Sequence, residues 1–206
     1  MRTETRTYTL YRITELSEEA KEKAHTEWLC NRYFYGWTHE NRQTLDTFCE
    51  RFGIVCRNWR YDACNYSYDY RSRQEDCIDG LNGWRLAAYL MNNHWSDLYT
   101  PKYFWKGRKG RKSRIFVDTC CPLTGYYIDN CILDPIYLFL KSPTENITFD
   151  CLMNECLDSF FRACRDDMES TRTLEYFTEE STANGWEYLS DGNPFNKLST
   201  FKTYHY

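Results

Sequence analysis

The longest amphipathic stretch of the chain reads FDCLMNECLDSFFRACRDDM and runs from Phe149 to Met168. Its apolar residues follow a repeating three-then-one spacing, which places them on one face of an α-helix. The pattern predicts a helix that begins at about residue 148 and forms the principal element of the core. The residues on this face are Phe149, Leu152, Met153, Cys156, Leu157, Phe160, Phe161, Cys164 and Met168.

Further helices are predicted on both sides of this stretch. A helix over about 18–34 has Ser17 as its expected N-cap, because a serine hydroxyl accepts hydrogen bonds from the free N–H groups of a first turn. A second helix is predicted over about 39–52 and is followed by Gly53, a residue type that commonly ends helices. Shorter helices are predicted over about 83–95 and 171–183.

Strands are predicted mainly in the middle of the chain. Strict alternation of residue types from Cys64 to Tyr70 predicts a strand with two different faces. The other predicted extended segments are residues 2–12, Ile54–Tyr61, Gly125–Asp129, Ile136–Leu140 and a final hairpin around Asp191-Gly192 that ends at Tyr206. This order predicts one α+β domain over residues 1–206, in which antiparallel sheet elements are packed by amphipathic helices. The central strands, at about 97–145, are one candidate for a protruding lobe.

The segment between Asp97 and Asp118 carries the strongest charge signal. It holds seven of the 26 Lys and Arg residues and none of the 30 Asp and Glu residues, so the rest of the chain has 19 cations against 30 acids. Lys106–Arg111 predicts the tip of a basic hairpin between strands at 103–105 and 114–119. The hairpin residues predicted to bind a partner are Lys102, Lys106, Arg108, Lys109, Arg111, Lys112, Arg114, Tyr103 and Trp105.

Charge alone does not identify the partner of this hairpin. Lysine and arginine neutralise phosphates, and aromatic rings stack on exposed bases, so DNA or RNA is one candidate. An acidic protein surface is a second candidate, and a tip made basic only for solubility is a third interpretation.

Tyr66, Tyr68 and Tyr70 share one face of the alternating strand. A row of exposed phenols suits base stacking or a protein-binding hot spot. The same row also suits the buried side of a sheet, with its hydroxyl groups reaching water at the edge. Alternation does not show which face of the strand is exposed to solvent, so the three tyrosines are included among the candidate binding residues.

Motifs for catalysis, cofactors and metals are weak. Gly107–Ser113 resembles a phosphate-binding P-loop, but Arg111 replaces the glycine before the lysine and a strand is expected to follow. Gly107–Gly110 matches the G-x-x-G loop of KH domains, although its flanks look extended. The 11 cysteines include no C-x-x-C pair, which argues against a structural zinc site. We therefore expect no enzyme activity, no cofactor and no metal.

The sequence also predicts a cytoplasmic location. Its longest apolar run, Ile136–Leu140, is far shorter than a membrane span, and Met1 does not lead into an apolar signal region. An odd number of cysteines without such a signal suits reduced thiols in the cytosol.

Segments near both ends resemble one protein family. TELSEEAKEKA from Thr14 to Ala24, with Trp28, is similar to the opening of a bacteriophage and prophage family labelled as the antitoxin of a toxin–antitoxin stability system. FTEE from Phe177 and GWEYLSDG from Gly185 are similar to the closing helix and hairpin of that family. In the middle, Cys64–Tyr70 stands near the place of a family turn with the residues Ser-Gln-Gly-Asp-Gly, so this part departs from the pattern.

The resemblance implies a mobile-element origin and a non-enzymatic role directed at a partner. Accessory phage proteins of this size include inhibitors of host defence. The leading hypothesis is a phage-type inhibitor that binds a host nucleoprotein effector in the bacterial cytoplasm, most concretely an anti-CRISPR protein acting on a Cas nuclease of the Cas9 type. The alternatives are an antitoxin that sequesters a toxin protein and a stand-alone nucleic-acid-binding protein.

Overall fold

The computed structural model describes residues 7–32, 37–72, 78, 80–106 and 109–195, and at positions 101, 103–106 and 109–116 it describes the backbone alone. The chain divides into two compact units. The terminal unit consists of the described residues within Met1–Tyr35 and Met168–Tyr206, and the central unit of those within Gly36–Asp167. The single domain and the lobe that the sequence suggests stay predictions.

Helices dominate the described chain, and two short antiparallel sheets accompany them. The helices are α1 (Glu18–Asn31), α2 (Thr38–Phe52), α3 (Gly83–Asn93), α4 (Trp95–Leu98), α5 (Ile128–Lys141), α6 (Phe149–Ser170) and α7 (Leu174–Asn184). The strands are β1 (Ile54–Tyr61), β2 (Tyr66–Ser72), β3 (Thr100–Lys106) and β4 (Lys109–Asp118). The predicted α+β class is confirmed. No helix in the described part of the chain is both long enough and apolar enough to cross a membrane.

The terminal unit is built around Trp28 of α1, which is fully buried. The Trp28 ring lies 5.1 Å from the ring of Phe177 on α7. The hydroxyl of Ser17 accepts a hydrogen bond of 3.3 Å from the backbone N–H of Ala20, which confirms Ser17 as the N-cap of α1. Packing between the two helices therefore joins the two ends of the sequence.

The core of the central unit lies around α6. Its predicted apolar face is buried from Phe149 to Cys164, and Met168 is half-buried. Phe48 and Phe52 of α2 and Ile54 of β1 are fully buried in the same cluster. Burying a large apolar side chain contributes about 1.5–3 kcal/mol relative to leaving it in water. Hydrophobic periodicity alone therefore locates this core helix.

The strands predicted at Gly125–Asp129 and Ile136–Leu140 are wrong, because residues 125–127 form a bend and turn and α5 occupies Ile128–Lys141. An apolar run of five residues fits a buried helix as well as a buried strand. Pro135, directly before that run, is a residue type that usually interrupts helices. The buried positions Ile132, Leu133, Ile136 and Phe139 instead follow the spacing of a helix.

A contact with α6 explains how α5 accommodates Pro135. Proline has no backbone N–H, so it cannot donate to the carbonyl of Cys131, four residues earlier. The hydroxyl of Ser159 on α6 donates to that carbonyl over 2.8 Å. A side chain from the neighbouring helix thus supplies the hydrogen bond that the proline cannot make.

The start of the second strand differs from the sequence prediction. β1 and β2 pair antiparallel, but β2 begins at Tyr66 and not at Cys64. The reason is a turn in which the carboxylate of Asp62 accepts hydrogen bonds from the N–H groups of Cys64 and Asn65, at 2.7 and 2.8 Å. Such side-chain hydrogen bonds compete with strand pairing.

The predicted strand over residues 2–12 is wrong for its described part. Within residues 7–12 only Tyr11 pairs, forming an isolated antiparallel bridge with Tyr188, and a short 3-10 helix follows at Ile13–Glu15. Tyr188 also bridges to Pro194, and the N–H of Phe195 donates to the carbonyl of Glu187 over 3.0 Å, so the described residues on both sides of the predicted Asp191-Gly192 turn pair with each other. The extended segment predicted to reach Tyr206 lies outside the described residues beyond position 195.

Candidate functional site

The predicted basic hairpin exists as the antiparallel pair of β3 and β4. Its register pairs Tyr103 with Lys112 and Lys106 with Lys109, with an irregularity between Pro101 and Tyr103. The strands therefore extend closer to the tip than predicted, since pairing reaches Lys106 and Lys109 and not only residues 105 and 114. Six of the seven cations lie on the two strands of this hairpin, and they are Lys102, Lys106, Lys109, Arg111, Lys112 and Arg114.

The structure describes the predicted hairpin residues to different depths. Lys102 is exposed, and its ammonium lies 3.9 Å from the carboxylate of Asp118. Arg108 lies outside the described residues. Only the backbone is described for the other predicted hairpin residues, which are Tyr103, Trp105, Lys106, Lys109, Arg111, Lys112 and Arg114. Their role in binding stays a prediction.

The base of the hairpin is tied to the central unit. The fully buried Leu98 ends α4, and its carbonyl accepts a hydrogen bond of 2.6 Å from the hydroxyl of Tyr137 on α5. The hydroxyl of Thr100 donates to the carbonyl of Asp118 over 3.2 Å, across the two ends of the ribbon. Both strands therefore leave the core from a fixed point.

The three tyrosines of β2 lie on the side of the strand that faces the core. The Tyr68 ring stacks on Phe161 of α6 at 4.9 Å, and burial raises the pKa of Tyr68 to about 12. The hydroxyl of Tyr66 donates to Asp158 over 2.6 Å, and this hydrogen bond raises the pKa of Tyr66. Tyr70 is partly buried against the same cluster. These contacts are those of the inner side of a sheet, and a role of the tyrosines in binding stays a prediction.

The tyrosines and the hairpin belong to different sheets. β2 pairs with β1, whereas β3 pairs with β4. The predicted site residues therefore do not form a single sheet surface, and the hairpin is the better candidate for contact with a partner.

An exposed apolar surface that the sequence analysis missed leads into the hairpin. Trp84 and Met91 on α3 are 74% and 37% exposed, and Trp95 at the start of α4 is 42% exposed. The Trp95 ring lies 4.4 Å from the ring of Tyr99, which directly precedes β3. We call Trp84, Ala88, Met91, Trp95 and Tyr99 the aromatic stripe.

A helical signal for the stripe was present in the sequence. Positions 84, 88 and 91 recur at the spacing of one helix face. The buried residues Leu86 and Leu90 form a second apolar face of α3. A helix that is apolar on more than one side needs more than one contact, but the pattern alone does not say which face meets the core.

The described residues also form a cavity of about 430 Å³ between α5 and α6. Asp134, Glu155 and Asp158 line it together with Arg162. Asp158 is engaged by the hydroxyl of Tyr66 and by the guanidinium of Arg162. The carboxylate of Asp158 thus belongs to a hydrogen-bond network that joins β2 to α6. These contacts indicate a structural role for this side chain.

Metal ligands are sparse in the part of the chain that the structure describes. There, no group of three or more His, Cys, Asp or Glu side chains is placed to hold a metal ion.

Comparisons with models of protein families, with curated proteins and with solved structures found no match.

Proposed function

We propose that this chain is a non-catalytic binding protein that docks on a host nucleoprotein effector and inhibits it, most concretely an anti-CRISPR protein acting on a Cas nuclease. The observation that carries the proposal is the exposure of the aromatic stripe together with the contact of its Trp95 with Tyr99, which directly precedes the cationic hairpin. This surface offers apolar contact area and positive charge side by side. A nucleoprotein presents both matching features, which are a protein surface and phosphate groups.

The stripe has the composition of a protein-binding hot spot. Tryptophan, tyrosine and methionine are enriched at protein interfaces, and tryptophan is among the residues whose removal costs most binding energy. Trp84 is 74% exposed on the surface of a helix, where contact with water is unfavourable for its ring. A partner that covers Trp84, Met91 and Trp95 removes this apolar surface from water.

The hairpin supplies the electrostatic half of the surface. Lys106 lies directly opposite Lys109 in the register, and like charges in that position destabilise a strand pair. A two-stranded hairpin is itself only marginally stable in water. An anionic partner removes the repulsion and adds attraction, so binding and ordering of the ribbon favour each other.

Binding is tested with a purified effector of the Cas9 type, with and without its guide RNA, and with bare DNA and RNA at two salt concentrations. Trp84→Ala and the double variant Arg111→Glu/Lys112→Glu alter the two halves of the surface separately. We expect Trp84→Ala to weaken effector binding by about 2 kcal/mol or more, which is about 30-fold in Kd. The double variant is expected to weaken it mainly at low salt, because salt screens exposed charges.

Matched controls lie elsewhere in the central unit. Tyr127→Ala removes a ring that is 78% exposed, and Lys141→Glu reverses an exposed charge at the end of α5. Neither is expected to change the Kd. Equal affinity of the wild type and both test variants would refute the proposal. Binding to bare nucleic acid that depends steeply on salt, and on the hairpin but not on Trp84, would replace it with a stand-alone nucleic-acid-binding function.

A further inference from the structure

Two adjacent cysteines lie in the loop between β4 and α5. The sulfur atoms of Cys120 and Cys121 are 3.7 Å apart, and Cys120 is exposed while Cys121 is half-buried. Adjacent side chains in an extended chain point to opposite sides. Here Cys121 has a φ of 46°, in the left-handed region that residues other than glycine seldom adopt. This conformation accompanies a turn in which both thiols point to one side.

Several hydrogen bonds hold the backbone of this pair. The N–H of Cys120 donates to Asp118 over 3.0 Å, and the N–H of Cys121 donates to the side-chain oxygen of Asn130 over 2.9 Å. The amide nitrogen of Asn130 lies 3.6 Å from the sulfur of Cys121 and donates to it. Burial raises the pKa of Cys121, and the hydrogen bond from Asn130 opposes this shift. The thiolate is the form that binds metals, and a bound ion displaces the thiol proton.

We propose that Cys120 and Cys121 chelate a divalent, thiophilic metal ion of the zinc or cadmium class. Two zinc–sulfur bonds of about 2.3 Å at a tetrahedral angle hold their sulfur atoms about 3.8 Å apart. The separation of 3.7 Å already matches this geometry. A disulfide, by contrast, requires an S–S distance of about 2.05 Å, so oxidation needs a larger movement than chelation.

The binding step balances without a further reactant. Each thiol gives its proton to solvent as its sulfur forms a bond to the ion, so one ion displaces two protons. Among the described residues, no third side chain of the metal-binding types completes a cluster with this pair. Water fills the remaining positions, which distinguishes the site from a closed structural zinc site with four protein ligands.

The probe is cadmium chloride, added to the reduced, full-length protein. Alkylation of thiols followed by peptide mass spectrometry reports the protection of each cysteine separately. We expect Cys120 and Cys121 to become protected together, at a cadmium concentration at least about ten-fold lower than that needed at a single thiol, because the second thiolate acts at high effective concentration. The exposed Cys30 and Cys64 are internal references for single thiols.

Two variants complete the test. Cys121→Ser should shift protection of Cys120 to the concentration range of Cys30, whereas Cys64→Ser should leave the pair unchanged. Circular dichroism checks that both variants fold, and the wild-type footprint is informative without them. Protection of Cys120 no better than that of Cys30, or unchanged protection of Cys120 in Cys121→Ser, would overturn the proposal.

Discussion

A close approach in the terminal unit depends on a single glycine. Gly192 has a φ of 84°, and a Cβ atom at this position would lie 2.1 Å from the carbonyl oxygen of Ala20 in α1. That separation is far below van der Waals contact, and the neighbouring atom belongs to the backbone of a helix. Nearby, Lys23 of α1 forms an ion pair of 3.0 Å with Asp191. The turn therefore lies directly against α1, which only glycine permits.

Gly192→Ala should lower the free energy of unfolding by about 3 kcal/mol or more, because backbone strain and steric overlap add. Gly185→Ala is the matched control in the same unit. It also has a positive φ, 64°, but its Cβ would meet only the flexible guanidinium of Arg12, at 3.2 Å. Its cost should be limited to about 1–2 kcal/mol of strain. Urea unfolding followed by circular dichroism measures both, and equal losses would contradict this account.

Individual side chains also show what a sequence pattern leaves undecided. The alternation of Tyr66, Tyr68 and Tyr70 indicates a common face, but contacts with α6, distant in sequence, identify that face as the inner one. Trp84 presents the opposite case, since its helix is predictable and its exposure is not. Burial depends on contacts between remote segments, which local periodicity does not contain.

At the scale of elements, one buried carboxylate holds the loop before α5. Asp129 is fully buried and accepts hydrogen bonds of 2.7–3.0 Å from the N–H groups of Leu123, Thr124 and Gly125. The hydroxyl of Thr44 on α2 donates to its other oxygen over 2.9 Å. This side chain thus joins α2, the loop and the first turn of α5.

Asp129→Asn should destabilise the protein by about 2 kcal/mol or more, because the amide NH₂ group cannot accept hydrogen bonds and would leave buried groups unpaired. Asp134→Asn is the control, since Asp134 is an exposed carboxylate of the same helix and its change should cost less than about 0.5 kcal/mol. Thermal or urea unfolding compares the two variants. A small effect at both positions would show that the loop does not depend on this carboxylate.

Elements with strong periodicity were predictable, and those defined by remote contacts were not. The spacing of apolar residues located α6 and α2, and Ser17 located the start of α1. α5 was missed because Pro135 argues locally against a helix, while its compensating partner is Ser159 on another element. The sequence placed the start of β2 two residues too early. The side chain of Asp62 forms hydrogen bonds to the turn before this strand, and residue alternation does not reveal such bonds.

At the scale of the whole molecule, a buried histidine couples stability to pH. The His94 ring stacks on Phe52 at 4.5 Å, and its Nδ1 lies 3.3 Å from Asp97, which Arg51 approaches to 3.7 Å. Its Nε2 has no hydrogen-bond partner in the described part of the chain. Burial lowers the pKa of His94 from its ordinary 6.5, although Asp97 opposes this shift. The folded protein therefore disfavours the charged imidazole.

The free energy of unfolding should fall as the pH decreases below about 6.5, because His94 then binds a proton in the unfolded chain but not in the folded protein. The effect continues down to the lowered pKa of the folded state. We expect His94→Gln to lose less stability than the wild type between pH 7 and pH 5, in denaturation curves at several pH values. His39→Gln, at an exposed histidine, should behave like the wild type. A wild-type slope retained in His94→Gln would exclude this histidine as the cause.

The division of the chain into two units also shows which features of the fold can be predicted from the sequence. The α+β class follows from local patterns, and the structure confirms it. The terminal unit, however, combines segments from both ends of the chain, and its contacts include the bridge between Tyr11 and Tyr188. Pairs separated by so many residues leave no local pattern, so composition and periodicity could not have shown which segments pack together.

The hydrogen bond between α5 and α6 has a consequence for the order in which residues can be replaced during evolution. Ser159 donates to the carbonyl of Cys131, which Pro135 leaves without its usual backbone donor. A descendant that loses Pro135 first regains the backbone N–H, and position 159 becomes free to vary. A descendant that loses Ser159 first carries a carbonyl without this donor, at a cost in stability. Selection should therefore permit one order of replacement more readily than the other, so that the proline disappears from a lineage before the serine.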